Sequence, residues 1–146
     1  MTKRCVRART VVVIAAAAVL VAACGGDDDS GGGGDGDGAA ATSITVEGTE
    51  FAFEPDAWVV AADTDVTVTF ENGGSIEHEW VVLTAGTEIG SEADFSASLI
   101  EASIDKIPAG TSESLTLNLP PAEYQVICAI PGHLDAGMEG TLTVAS

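Results

Sequence analysis

From Ser43 onward, apolar and polar residues alternate in short runs: Ile44 and Val46; Val66, Val68 and Phe70; Leu115, Leu117 and Leu119; Tyr124, Val126 and Cys128; Leu142 and Val144. A period of two puts one side of each run on a core and the other in water, which is how a half-buried strand reads. Turn formers separate the runs, at Asn72-Gly73-Gly74, Pro108-Ala109-Gly110, Pro120-Pro121 and Pro131-Gly132. Short strands punctuated in this way predict an all-β fold, a β-sandwich. One segment departs from the period. Ser91-Glu92-Ala93-Asp94 has the spacing of a helix N-terminus, and Phe95 and Leu99 lie four apart, which predicts a short helix.

Ahead of these runs the pattern changes twice. Residues 1–24 run as a basic start (Lys3, Arg4, Arg7, Arg9), an apolar stretch of 13 residues from Val11 to Ala23, and Cys24 followed by glycines. That layout predicts a secretion signal over residues 1–23, too short for a spanning helix, which needs about 20 apolar residues. Val21-Ala22-Ala23-Cys24 resembles a bacterial lipobox, which implies that cleavage leaves Cys24 as a lipidated N-terminus; ordinary cleavage with a free thiol is the alternative. From Gly25 to Thr42 there are only Gly, Asp, Ser, Ala and one Thr, with nothing bulky to bury. Residues 24–42 therefore read as a lipidated cysteine and a disordered tether spanning roughly 21–25 Å, and residues 43–146 as one folded domain.

Charge narrows the partners. The formal net charge is −18, and four of the five basic residues lie in the leader. Without that leader, Lys106 alone stands against 23 acidic residues, a balance of −22. Phosphate contacts need Lys and Arg, so nucleic acid is excluded as a partner. Such a field speeds encounter with basic proteins, and it equally suits a solvated surface in a salty habitat.

The domain holds one cysteine, two histidines and one methionine, in two loop-like places. The first is Asn72 to Trp80, which contains His78. The second is Cys128-Ala129-Ile130-Pro131-Gly132-His133-Leu134-Asp135-Ala136-Gly137-Met138, a Cys-x4-His-x4-Met loop between two strands. The thiolate, imidazole and thioether can converge if the loop folds back, as Pro131, Gly132 and Gly137 permit. Two histidines and a cysteine with a weak axial methionine make the electron-transfer copper set. Zinc fits less well, because its closed sites use four strong ligands and no thioether. With Cys5 lost in the leader and Cys24 acylated, Cys128 has no disulfide partner.

These residues carry a family resemblance. The ligand loop with its Pro131-Gly132-His133 core, the upstream Phe51-x-Phe53-x-Pro55 start and the Asn72 to His78 segment resemble the cupredoxins, the small blue copper proteins. The five-residue spacings are similar to those of the azurin and auracyanin branches; plastocyanin's loop is shorter. The resemblance covers about Ser43 to Ser146 and implies a Greek-key sandwich or barrel of about seven to eight strands with one short helix in a connection. It also implies one ring nitrogen each from His78 and His133, the thiolate of Cys128 and a long contact from Met138, around one copper ion. His133 would lie nearest the surface, ringed by Pro131, Leu134 and Ala136, where electrons enter and leave. Many cupredoxins have Asn after the first histidine and Ser or Thr after the cysteine; Glu79 and Ala129 stand there instead.

Other residues read as scaffold. Trp58, Trp80, Phe51, Phe53, Phe70 and Tyr124 are expected in the core. Strand alternation turns Glu77 and Glu79 away from the side His78 faces, into solvent. The function this predicts is single-electron carriage between redox proteins outside the cytoplasm, by a monomer tied to the membrane only through lipid, with a basic partner such as a cytochrome. Extracytoplasmic copper capture, storage or delivery uses the same ligands and is the alternative. An enzyme, whether copper oxidoreductase or cysteine hydrolase, is the weakest reading, because four protein ligands leave substrate no position and a hydrolase gives Met138 no purpose.

Overall fold

The alternating runs become strands in a computed structural model that describes residues 40–146. The signal segment, Cys24 and nearly all of the tether lie outside the described residues. Within them are nine strands: β1 (Ser43–Thr49), β2 (Ala52–Glu54), β3 (Ala57–Ala61), β4 (Val66–Asn72), β5 (His78–Leu83), β6 (Ile100–Ile107), β7 (Ser112–Leu117), β8 (Ala122–Ile127) and β9 (Glu139–Ala145). One sheet has the order β2-β1-β4-β7 and the other β3-β9-β8-β5-β6. The pairings β1–β4 and β3–β9 are parallel, and the others antiparallel. This is an all-β two-sheet sandwich, with a strand more than expected because β2 and β3 are separate elements.

The core lies between the sheets. It takes the inward residue of each alternating pair: Val46 from β1, Val66, Val68 and Phe70 from β4, Trp80 and Val82 from β5, Tyr124 and Val126 from β8, Leu142 and Val144 from β9. Trp58 meets Trp80 edge to face at 6.1 Å, and Phe53 bridges Trp58 and Phe70 at 6.1 and 6.0 Å. Tyr124 donates its hydroxyl to Pro120 O at 3.0 Å, pinning the entry to β8.

Strand β5 breaks the alternation, since Val81 and Leu83 on its outer side are as buried as Trp80 and Val82 on the inner side. The connection from β5 to β6 covers them. There the expected helix resolves into two 3-10 turns, Glu92–Asp94 and Ala97–Leu99. Ser91 caps the first by accepting from Ala93 N–H, as its spacing implied, but Ser96 caps a second turn before a longer helix can form. Phe95 and Leu99 still face inward, onto Val81, Leu83, Ile89, Ile127 and Leu134. Among the described residues, no helix is long and apolar enough to cross a membrane.

Candidate metal centre

The two ligand-bearing places meet at one end of the second sheet. His78 opens β5, and Cys128 directly follows the last residue of β8, on the neighbouring strand. Both continue an inward row, His78 with Trp80 and Val82, Cys128 with Tyr124 and Val126, so both point between the sheets. Met138 directly precedes β9. Cys128 N–H donates to Met138 O at 3.1 Å, which makes this pair the neck of the loop.

The loop then folds back on its neck. His133 N–H donates to Ile130 O and Met138 N–H to His133 O, both at 3.0 Å. Gly132 and Gly137 have φ of 92° and 102°, the left-handed region that other residues avoid, so they are the hinges of the reversal. This brings His133 Nδ1 to 3.2 Å from Cys128 Sγ and the two imidazoles to 5.1 Å, edge to face. His78, Cys128 and His133 each present a donor atom, all within 4.8 Å of one another. Met138 is wholly buried, and its backbone is bonded to both Cys128 and His133.

The first-histidine loop is held separately. Buried Asn72 donates its side-chain amide to Ile76 O at 2.8 Å and Ile107 O at 3.0 Å, and accepts from Gly74 N–H at 3.0 Å. The Glu50 carboxylate accepts from Ser75 N–H and from the Ser75 hydroxyl at 2.6 Å, and these two bonds hold it below the usual carboxylate range.

Burial governs the protonation of the three donors. Loss of water pushes the Cys128 thiol up, against the Glu79 N–H that reaches its sulfur at 3.4 Å. Loss of water pushes His78 down, and the neighbouring His133 adds to this. His133 also falls by burial, opposed by the charge of Glu92.

This group of side chains fits a metal. Both ring nitrogens of His78 are buried and have no hydrogen-bond partner among the described residues, a state that costs about 1–3 kcal/mol per group unless something fills it. Cys128 is a buried free thiol. Thiolate with two imidazoles is a donor set suited to copper.

Several residues sit differently from expectation. Phe51 is not in the core: it is 39% exposed and stands edge-on against His133, ring centroids 5.1 Å apart. A φ of 62° at Phe51 breaks the alternation with Phe53, and no sequence signal marks that at a non-glycine position. Leu134 does not ring the surface of His133 but is buried in the outer apolar cluster, whereas Pro131 and Ala136 are exposed. Glu77 is solvated and lies 3.8 Å from Lys106, as alternation implied. Glu79 is half-buried instead, and loss of water raises its carboxyl. The contacts made by Glu50 and Glu92 carried no motif.

A fold of this kind with such a donor set defines a class of copper proteins, and comparison with known proteins agrees. The family profile of copper binding proteins, plastocyanin/azurin family, matches residues 40–145. The chain belongs to that family, and its cofactor is one copper ion. It is 31% identical over 110 residues to auracyanin-B of Chloroflexus aurantiacus, a match covering 64% of this chain and 47% of that protein, so the chain spans about half the length of that relative. It is 30% identical over 116 residues to the copper-resistant cuproprotein CopI of Rubrivivax gelatinosus, covering 75% of this chain and 70% of that one. Among solved structures, reduced auracyanin of Roseiflexus castenholzii superposes with a TM-score of 0.64 at 27% identity, covering 74% of this chain and all of that one.

Proposed function

We propose that this protein is a mononuclear type 1 copper protein that carries single electrons between redox partners outside the cytoplasm. His78, Cys128 and His133 would hold the copper through two imidazoles and a thiolate, and Met138 would add a weak thioether contact. The observation that carries this reading is the convergence of three buried donors, from His78, Cys128 and His133, to within 4.8 Å of one another. Copper supplies the one-electron couple when bound. The chain excludes water from the donors, fixes them on two strand ends, and fills the coordination positions itself, leaving none for substrate. His133 is 6% exposed beneath Phe51 and is the donor through which a docked partner would exchange charge.

The experiment is an optical and paramagnetic-resonance spectrum of the chain with Cu(II), followed by a reduction cycle. An intense thiolate-to-copper band is expected, lost in Cys128→Ser and kept in Met138→Leu, where the reduction potential rises. Full colour in Cys128→Ser would remove that residue from the site, and an unchanged potential in Met138→Leu would remove the axial contact.

Copper capture or delivery is the second reading, favoured by the likeness to a copper-resistance protein. Ready transfer of copper to an acceptor protein supports it; copper retained through repeated redox cycles supports electron carriage. For location, the order of signal, Cys24 and Gly/Asp-rich tether supports a domain held by lipid to the outer side of the membrane. More than one acyl chain makes such an anchor stable, at about 0.8 kcal/mol per buried methylene. Cys24→Ala should move the protein from the membrane fraction to the soluble one, and unchanged membrane association would count against the anchor.

A further inference from the structure

Segment 84–99, between β5 and β6, touches the ligand loop as well as the sheet. Ile89, Phe95 and Leu99 form an apolar cluster with Val81, Leu83, Ile127, Ala129 and Leu134, and the last two belong to the loop. At its polar end this contact is made by two hydrogen bonds running in opposite directions. The Glu92 carboxylate accepts from Gly132 N–H, and Glu92 N–H donates to Asp135 Oδ1 at 3.1 Å. Gly132 directly precedes His133 and Asp135 lies two residues beyond, so the pair grips both sides of the imidazole that reaches Cys128.

Nearer groups make no such contact. Ala129, next to Cys128, has no polar side chain to offer, and among the described residues the Glu79 side chain makes no hydrogen bond to the loop. A flexible turn holding one donor would let that imidazole swing and would weaken the site, because metal ligands need outside support to keep their orientation. A carboxylate accepting from a backbone N–H is among the stronger hydrogen bonds for this purpose.

We propose that Glu92 is a positioning residue for the copper site, holding the turn around His133 in its metal-binding shape before metal arrives. This rests on the reading of His133 as a ligand. The test compares Glu92→Ala with Glu92→Gln in the full chain. Both lose the same charge, but only Gln keeps an oxygen that can accept from Gly132. In the metal-free protein, amide hydrogen exchange at Gly132 should speed up about tenfold in Glu92→Ala and stay near wild type in Glu92→Gln. Exchange at the Val126 amide of β8 should be unchanged in both, which separates a local brace from a global loss of stability.

With copper bound, transfer of the ion to a chelator should be about tenfold faster in Glu92→Ala than in Glu92→Gln. Equal exchange at Gly132 in all three proteins, or equal copper transfer in the two variants, overturns the proposal. If the wild-type chain took up no copper, the exchange at Gly132 would still decide whether Glu92 braces the loop, and the copper reading alone would fall.

Discussion

At the scale of single residues, burial fixes the acid–base state of the donors before metal binds. The Cys128 thiol is pushed up and both imidazoles down, so near neutral pH the metal-free site keeps its thiol protonated and its two imidazoles uncharged. Copper binds the thiolate, so uptake should release one proton, and affinity should fall about tenfold per unit drop in pH. Chelator competition across pH measures that slope, and a flat profile would mean that the thiol does not bind. The same shifts act on folding. The imidazole contribution is present above the unfolded value of about 6.5 and is lost as pH falls through the depressed folded values. The thiol contribution is full below its unfolded value of about 8.5 and is lost as pH rises through the raised folded value. Urea midpoints of the metal-free protein should therefore decline on both sides of neutrality. The residue types and spacings of the donors were legible in the chain. Phe51 and Glu92 were not, because each reaches His133 or its turn from more than thirty residues away in sequence.

At the scale of elements, β5 explains why pattern alone misjudges the outer surface. Trp80, Val81, Val82 and Leu83 are an unbroken apolar run, and each is at most 2% exposed because one face meets the core and the other meets the 84–99 connection. Strand β3 keeps ordinary alternation, with Val59 56% exposed and Val60 1%. Truncation to Ala should reflect this. Val82→Ala and Leu83→Ala should both destabilise, by about 1–3 and 2–5 kcal/mol respectively, while Val60→Ala is costly and Val59→Ala stays within about 0.5 kcal/mol. Denaturant unfolding of the four variants checks it; a neutral Leu83→Ala would mean that the connection does not cover β5. The connection itself was read as one helix because a cap signal and a four-residue apolar spacing coincide. Ser96, capping a second turn, ended that pattern locally, yet the apolar side chains still reached the same burial.

At the scale of the molecule, acidity and the site face have to be considered together. The folded part carries one Lys and 18 of the 23 acidic residues, whereas the surface at His133 presents Phe51, 39% exposed, with Pro131 and Ala136 of the ligand loop exposed as well. A basic redox protein would be drawn by the field and seated on this apolar patch. Electron transfer to a basic cytochrome should then slow by about tenfold or more as ionic strength rises from 0.01 to 0.2 M, since the screening length shrinks from ~30 Å to below 10 Å. Stopped-flow mixing measures this, and a salt-independent rate would mean that charge does not guide the encounter. By itself, the sequence determined the sandwich, the inward face of the strands and the residue types that converge as His78, Cys128 and His133, because period-two burial and ligand spacing are local properties of the chain. Only the tertiary structure decided which groups surround those donors. A carboxylate on one connection, an aromatic ring in a left-handed turn and an amide at the end of β4 act across the fold, and their roles exist only once distant segments are packed together.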